Sequence, residues 1–275
     1  MLHLARRRVP ERAMTVDFSE QRLADRVAIV TGGGYGIGRD YAHRLAAEGA
    51  DVVIAELDAA AGDRVCDEIR TMGRSAVAIA TDVANEQQVT DMVAGTIETF
   101  GKVDVLVKNA AMFTKVPVVE ATLEDLTFEH FERVLRVNVL GTWLCARAVI
   151  PDMRRRSYGK IINVSSGTVF RGSAGTMLQY VTSKSALLGF TRSLARAVGP
   201  DGIRVNCVAP GLTMTDDVNT PERAAVMWAR AHAERAIQRV ETPGDLVGII
   251  AFLASRDSDF IDGQTIVVDG GAFMH

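Results

Sequence analysis

The chain has 275 residues, 48% hydrophobic and 24% charged, with a net charge of −3. That composition is globular, with ample length for a large buried core, and the near-neutral balance excludes any reason to expect nucleic acid or an anionic membrane as partner. Cys66, Cys145 and Cys207 are scattered, which argues against a disulfide framework or a metal site and suits a reducing, cytoplasmic compartment. The histidines are isolated too, so no metal is expected. No apolar run reads as long enough to span a bilayer.

In chain order, MLHLARRRVPERAM has arginines but no apolar stretch after them, so it does not read as a secretory signal. Residues 1–23 read as a disordered or loosely attached tail. Val27–Val30 is a short buried strand. TGGGYGIG (Thr31–Gly38) follows it, and a helix ending at Gly49 follows that. Strand, glycine turn and helix together give this spacing its meaning. Gly32 allows the tight turn, Gly36 lets the backbone approach a pyrophosphate, and Gly38 allows close packing of helix on strand. Tyr35 and Ile37 lie inside the same turn. The helix N-terminus, with its free N–H groups, would face the phosphates.

Strand-like and helix-like segments then alternate. Strands are expected at Asp51–Glu56, Ser75–Val83, Val103–Asn109, Lys160–Ser166, Ile203–Ala209 and Gln264–Asp269. Helices are expected at Ala59–Met72, Asn85–Phe100, Glu124–Met153, Leu178–Val198 and Pro243–Ala254. Asn85, with Gln88 three residues later, marks a helix start. Strands apolar on both faces and separated by helices imply an α/β protein. The expected architecture is a single doubly wound Rossmann domain over 24–275, a parallel seven-stranded sheet with helices on both faces. Ligands bind such sheets at the carboxyl ends of the strands, near the switch in strand order.

Glu56 ends the second strand about 20 residues past the glycine turn. A carboxylate there accepts hydrogen bonds from the adenosine ribose hydroxyls and repels a 2′-phosphate, so NAD is favoured over NADP. Leu57 and Asp58 follow it, and with Tyr35 they offer no cation for such a phosphate. Asp82 and Val83 are placed to meet the adenine, with helix capping as the alternative role for Asp82.

The most specific signal is YVTSK. Tyr180 and Lys184, at i and i+4, share one helix face. A phenol is a poor base near neutrality, and a nearby ammonium lowers its pKa. The pair can therefore move a proton to or from an alcohol oxygen, and Ser166, at a strand end, can hydrogen-bond the same oxygen.

With TGGGYGIG, Asp82-Val83, KNAA (Lys108–Ala111), Asn138 in RVNVLG, INVSS, YVTSK, RVNCVAPG and DGQTIVVDGG in order, the chain resembles the short-chain dehydrogenase/reductase family. The resemblance implies that Tyr180 is the acid/base. Lys184 would lower its pKa and bind the nicotinamide ribose. Ser166 would orient the substrate carbonyl, and Asn138 would hold a water behind Lys184. Asn109 would line the cofactor cleft, with Pro210, Gly211, Thr213 and Thr215 on the nicotinamide side. It also implies a homotetramer, with the helices at Glu124–Met153 and Leu178–Val198 forming one interface.

Two departures stand out. The family usually has Asn-Asn-Ala-Gly where this chain has Lys108-Asn109-Ala110-Ala111; pairing with a nearby carboxylate is the simplest role for Lys108. The stretch between Ser166 and Tyr180 is about one residue longer than usual, which leaves Ser165 and Ser166 both open as the active serine. Leu212–Val240 occupies the place of the family's substrate lid. Its Met214, Val218, Val226, Met227 and Trp228, with Phe113, Phe170, Met177 and Leu178, suit a small-molecule hydrophobic or aryl alcohol or its carbonyl. Packing of the lid onto the body is the alternative role for these residues. Sugars, 3-oxoacyl substrates and a non-catalytic NAD-binding protein are the competing readings. A methyltransferase would not need Tyr180 and Lys184.

Overall fold

The computed structural model describes residues 21–113, 123–172, 177–215 and 220–274. The first half runs β1 (Val27–Thr31), α1 (Gly36–Ala47), β2 (Asp51–Glu56), α2 (Ala59–Thr71), β3 (Ala76–Ala80), α3 (Glu86–Phe100), β4 (Val105–Lys108), α4 (Phe128–Leu135) and α5 (Gly141–Arg155). The second runs β5 (Gly159–Val164), α6 (Thr168–Arg171), α7 (Leu178–Val198), β6 (Ile203–Pro210), α8 (Pro221–Glu234), α9 (Gly244–Ala254) and β7 (Thr265–Val268). All seven strands are parallel, in the order β3-β2-β1-β4-β5-β6-β7. The order reverses between β1 and β4, so the crevice above these two strands is the switch point.

β1 and β4 are buried along their whole length, which is why they read as unbroken apolar runs. Side chains from α1, α2 and α9 pack on one face of the sheet. Those from α3, α5 and α7 pack on the other. At the amino ends of the strands, buried Asp104 accepts from Val27 N and buried Asp152 from Val103 N, and Arg156 joins both carboxylates. This charge cluster fastens the end of the sheet remote from the crevice.

Local chemistry sets the boundaries. Asn85 Oδ1 accepts from the N–H groups of Gln87 and Gln88, so the predicted cap of α3 is present. Gln88 reaches back further than a capping box requires, to Asp82 N. The strand expected at Ser75–Val83 stops at Ala80, because Asp82 Oδ1 accepts from Ala84 N and turns the chain. The helix expected over Glu124–Met153 is broken. Leu123–Asp125 is a 3₁₀ turn, Thr127 Oγ1 caps α4 through His130 N, and Arg136–Leu140 forms a π-helical turn before α5. Leu23, placed in the tail by the sequence reading, is fully buried, and its N–H bonds Glu48 O. Arg22, also placed in that tail, pairs with Glu48 at 2.9 Å, and residues 1–20 lie outside the described residues.

One stretch, Phe128–Arg155, is after all long and apolar enough to cross a membrane by length and composition alone. In this fold it packs against α3 and α7 as a core element. The three cysteines are free and buried.

Candidate active site

The glycine turn leaves the end of β1 with Gly32 and Gly36 at positive φ, 64° and 50°. A Cβ on Gly38 would lie 2.0 Å from Gly32 O and 2.5 Å from Asn109 Nδ2. The third glycine is therefore required by the carbonyl of the first. Asn109 Nδ2 donates to that same carbonyl at 2.9 Å, and Thr31 Oγ1 accepts from the N–H groups of Asn109 and Ala110, both at 3.1 Å. Asn109 thus ties the end of β4 to the turn as well as lining the cleft.

Tyr35, the N-cap of α1, makes no side-chain cap bond, and the first turn has no acidic residue. The first N–H groups of a 12-residue helix stay available for an anion, and no carboxylate of that turn opposes one. The turn therefore fits a dinucleotide pyrophosphate.

Glu56 is held by backbone amides. Its Oε2 accepts from Gly34 N at 3.1 Å, and its Oε1 from Leu57 N at 2.8 Å and Asp58 N at 3.3 Å. Tyr35 Oη donates to Asp58 Oδ2 at 2.7 Å. That bond is the main cause of the raised phenol and the lowered carboxyl pKa. Arg64, on α2, was missed by the sequence reading. Its guanidinium lies 5.1 Å from the Tyr35 ring centroid and donates to Gly34 O at 2.9 Å. The only signal for it was that α2 begins at Ala59, so its second turn comes back beside the glycine turn.

At the other end of the cleft, α7 presents Tyr180 and Lys184 one turn apart. Lys184 is 3% exposed; its Nζ lies 5.7 Å from the Tyr180 ring centroid and donates to Val164 O at 2.7 Å. Burial pushes the Lys184 ammonium down to about 8; Cys207 works against that shift and the Lys108 charge adds to it. Burial pushes the Tyr180 phenol up to about 12, and a hydrogen bond with Ser166 draws it back. The Phe113 ring lies 4.8 Å from the Tyr180 ring and helps to bury it.

The two serines have different surroundings. Ser165 Oγ donates to the backbone O of Lys184 at 2.8 Å, which braces β5 against α7. Ser166 Oγ accepts from Thr168 Oγ1 at 2.9 Å and is the one bonded to Tyr180. Asn138 sits behind them in the π-helical turn. Its Oδ1 accepts from Met112 N at 2.8 Å and its Nδ2 donates to Ser183 Oγ at 2.9 Å. The extra residue of a π turn swings this side chain in toward α7.

One cavity of about 1190 Å³ joins these parts. Every cofactor residue named from the sequence lines it, from Gly32, Tyr35, Gly36, Ile37 and Gly38 through Glu56, Leu57, Asp82, Val83 and Asn109 to Pro210, Gly211, Thr213 and Thr215. Ser166, Tyr180 and Lys184 line it too, whereas Asn138 lies one layer behind. Thr213 Oγ1 donates to Glu241 Oε1 at 2.8 Å, and Arg235 Nη2 reaches Glu241 Oε2 at 3.2 Å and Leu212 O at 2.9 Å. This knot ties the segment that follows β6 to the segment that precedes α9.

On the substrate side, Phe113, Met177, Val226 and Met227 line the cavity as expected. Met214, Trp228, Phe170 and Leu178 do not line it; Phe170 stacks on Phe273 instead, at 5.0 Å. Val218 lies outside the described residues. The wall is more polar than the sequence suggested, because Arg171, Glu222, Glu234 and Arg235 also face it, Arg171 paired with Glu234. The sequence reading expected a carboxylate beside Lys108. Among the described residues there is none: Lys108 is buried and its Nζ has no hydrogen-bond partner.

A doubly wound sheet with a dinucleotide-sized cleft at its switch point, and a phenol–ammonium pair inside that cleft, belongs to the nucleotide-binding α/β oxidoreductases. The family described as Enoyl-(Acyl carrier protein) reductase matches residues 32–273. The short-chain reductase protein NovJ of Streptomyces niveus is 40% identical over 251 residues, 89% of this chain and 93% of that one. Galactitol 2-dehydrogenase of Agrobacterium fabrum is 37% identical, over 92% of this chain and 99% of that one. The crystal structure of a short chain dehydrogenase from Burkholderia cenocepacia in complex with NADP superposes with a TM-score of 0.80 at 35% identity, covering 91% of this chain and 99% of that one. The chain belongs to the short-chain dehydrogenase/reductase family, oxidoreductases that act on CH–OH groups with a nicotinamide cofactor.

Proposed function

We propose that the protein is an NAD(H)-dependent oxidoreductase that interconverts a secondary, hydrophobic or aryl alcohol and its carbonyl. The observation that carries this reading is the single cavity with the Glu56-capped glycine turn at one end and Ser166, Tyr180 and Lys184 at the other. When bound, the nicotinamide supplies the hydride chemistry. The chain does the rest. Tyr180 takes the hydroxyl proton in oxidation and returns it in reduction. Ser166 donates to the same oxygen and fixes its place. Lys184 favours the ionised phenol and holds the cofactor ribose, and Asn138 braces the floor behind it. Gly32, Gly36 and Gly38 clear the path of the pyrophosphate. Asp82 and Val83 meet the adenine, and Pro210, Gly211, Thr213 and Thr215 shape the nicotinamide side.

Glu56 supports NAD, since its fixed carboxylate, with Asp58 beside it, would repel a 2′-phosphate. The second reading is NADP, favoured by Arg64 and by the cofactor of the Burkholderia structure. Arg64 is engaged with Gly34 O and Tyr35, so NAD is the reading adopted. On the substrate, Phe113, Met177, Val226 and Met227 support an apolar group, and Arg171 and Glu234 would serve a polyol as the competing class. We also assign a homotetramer, which Phe128 and Trp143, exposed on α4 and α5, would help to hold, and a cytoplasmic place consistent with the free cysteines.

The test is absorbance at the NADH band with NAD or NADP and a panel of aryl, aliphatic secondary and sugar alcohols. Turnover with NAD and an aryl or aliphatic secondary alcohol is expected. Faster turnover with NADP would overturn the role of Glu56, and preference for sugars would overturn the apolar reading of the pocket.

A further inference from the structure

Glu241 lies between α8 and α9 and is buried, and the proton transfer described above makes no use of it. Its backbone and its side chain both hold the segment that follows β6. The Glu241 backbone O accepts from Met214 N at 2.8 Å, Oε1 accepts from Thr213 Oγ1 at 2.8 Å, and Oε2 accepts from Arg235 Nη2 at 3.2 Å. A Cβ on Gly211 would lie 2.5 Å from Glu241 Oε2 and 2.9 Å from Asp269 Cβ. Glu241 and Asp269 therefore flank Gly211. Gly211, Thr213, Arg235 and Asp269 line the cavity, at the end assigned above to the nicotinamide.

The charges in this cluster do not balance. Asp269 accepts from the N–H groups of Gly271, Ala272 and Phe273, and Arg235 is the one cation paired with Glu241 among the described residues. Arg239 also feels Glu241 but is paired with Asp245, and Tyr41 on α1 is a buried phenol. Two carboxylates thus share one guanidinium. Burial raises Glu241 to about 7; Thr213 and Arg235 oppose that shift and the Asp269 charge adds to it. Arg235 can only donate, so a proton on Glu241 belongs on Oε1, and the bond with Thr213 then reverses.

We propose that Glu241 is a specificity-determining residue for the redox state of the cofactor: its ionised carboxylate leaves the cluster one negative charge in excess, which the positive ring of an oxidised nicotinamide balances and the neutral ring of a reduced one does not. The proposal rests on the dinucleotide reading of the cavity. Binding of the oxidised form expels the proton from Glu241, and binding of the reduced form leaves it in place. Rising pH therefore favours the oxidised form. Opposite unit charges about 10–15 Å apart, at an effective dielectric of about 20, shift an equilibrium roughly 5- to 20-fold. Salt lowers that figure, so about threefold is the least effect expected.

The test measures binding of oxidised NAD and of NADH, without substrate, to the unaltered chain and to Glu241→Gln. In the unaltered chain the ratio of NAD affinity to NADH affinity should rise at least about threefold between about pH 5.5 and about pH 7.5. Glu241→Gln should lose that rise while binding NADH within about twofold of the parent. Lys184 titrates at the same end of the cavity, but it is present in both proteins, so their difference reports on Glu241. An equal rise in both proteins would overturn the proposal, and so would a variant that loses affinity for both forms alike, the mark of a purely structural residue. If the variant does not fold, carboxyl NMR of the unaltered chain decides. The glutamate that titrates near 7 should move down by at least about half a pH unit with NAD and stay in place with NADH, and equal behaviour with the two overturns the proposal. Failure of the unaltered chain to bind either form would overturn the dinucleotide reading itself, and the proposal with it.

Discussion

Gly38→Ala puts the smallest side chain where the fold has no room. The new Cβ would sit 2.0 Å from Gly32 O, and the obstacle is a backbone carbonyl rather than the end of a flexible side chain. Either the turn or the first turn of α1 must move. Overpacking of this kind costs about 3 kcal/mol at the upper end of its usual range. The same movement breaks the bond from Asn109 Nδ2 to Gly32 O, worth about 1 kcal/mol. Alanine returns at most about 1 kcal/mol through helix propensity. The net loss is about 3 kcal/mol, or roughly 6–12 °C in Tm for a domain of this size. NADH affinity should fall at least about tenfold, because the displaced N–H groups no longer point at one anion site. Gly248→Ala in α9 is the control, since its Cβ would meet nothing within 4 Å and Tm should hold or rise. Thermal melts and NADH fluorescence titrations read both effects. A Gly38→Ala protein that melts with the parent and binds NADH equally well would refute the reasoning about the turn.

Other consequences follow from the same geometry. Glu56→Ala removes the carboxylate fixed by Gly34 N and Leu57 N. The ratio of kcat/KM with NADP to that with NAD should rise at least about tenfold, and an unchanged ratio in steady-state assays counts against the NAD assignment. Burial raises Glu241 from an ordinary 4.5 to about 7, while Thr213 and Arg235 pull the other way. The folded chain therefore keeps a proton that the unfolded chain releases, a stabilisation whole below pH 4.5 and lost as pH rises through 7. The shift corresponds to at most about 3 kcal/mol. Urea unfolding at pH 5 and pH 8 should show that gap shrink in Glu241→Gln; an equal gap in both proteins would mean that Glu241 does not carry it.

The winding and most of the cleft were legible because they rest on local chemistry. Buried parallel strands read as apolar runs, Gly49 and Gly101 stop helices, and Asn85 caps α3 through its own side chain. The residues that line the cavity were legible because they cluster in the glycine turn and at or just past strand ends. Less legible was anything set by packing between distant segments. The π turn at Arg136–Leu140 contains no glycine or proline, so nothing local distinguishes it from continuous helix, yet it is what aims Asn138. Arg64 reaches Gly34 only because α2 folds back beside α1. Lys108 reads as a lysine paired with a nearby carboxylate, and its burial without a hydrogen-bond partner depends on β5 and α7 closing over it. Ser165 and Ser166 are equivalent in sequence and are told apart by their partners, the Lys184 carbonyl for one and the Tyr180 phenol for the other.

The central claim is that Tyr180 moves the proton in a cavity that also holds the nicotinamide. The most direct measurement compares the chain with Tyr180→Phe, following NAD-linked oxidation of the best alcohol at saturating cofactor, with NADH binding measured alongside. The variant should lose turnover by a factor on the order of 10²–10⁴ while binding NADH within about twofold of the parent. Turnover retained by Tyr180→Phe would contradict the account, whatever the substrate proves to be.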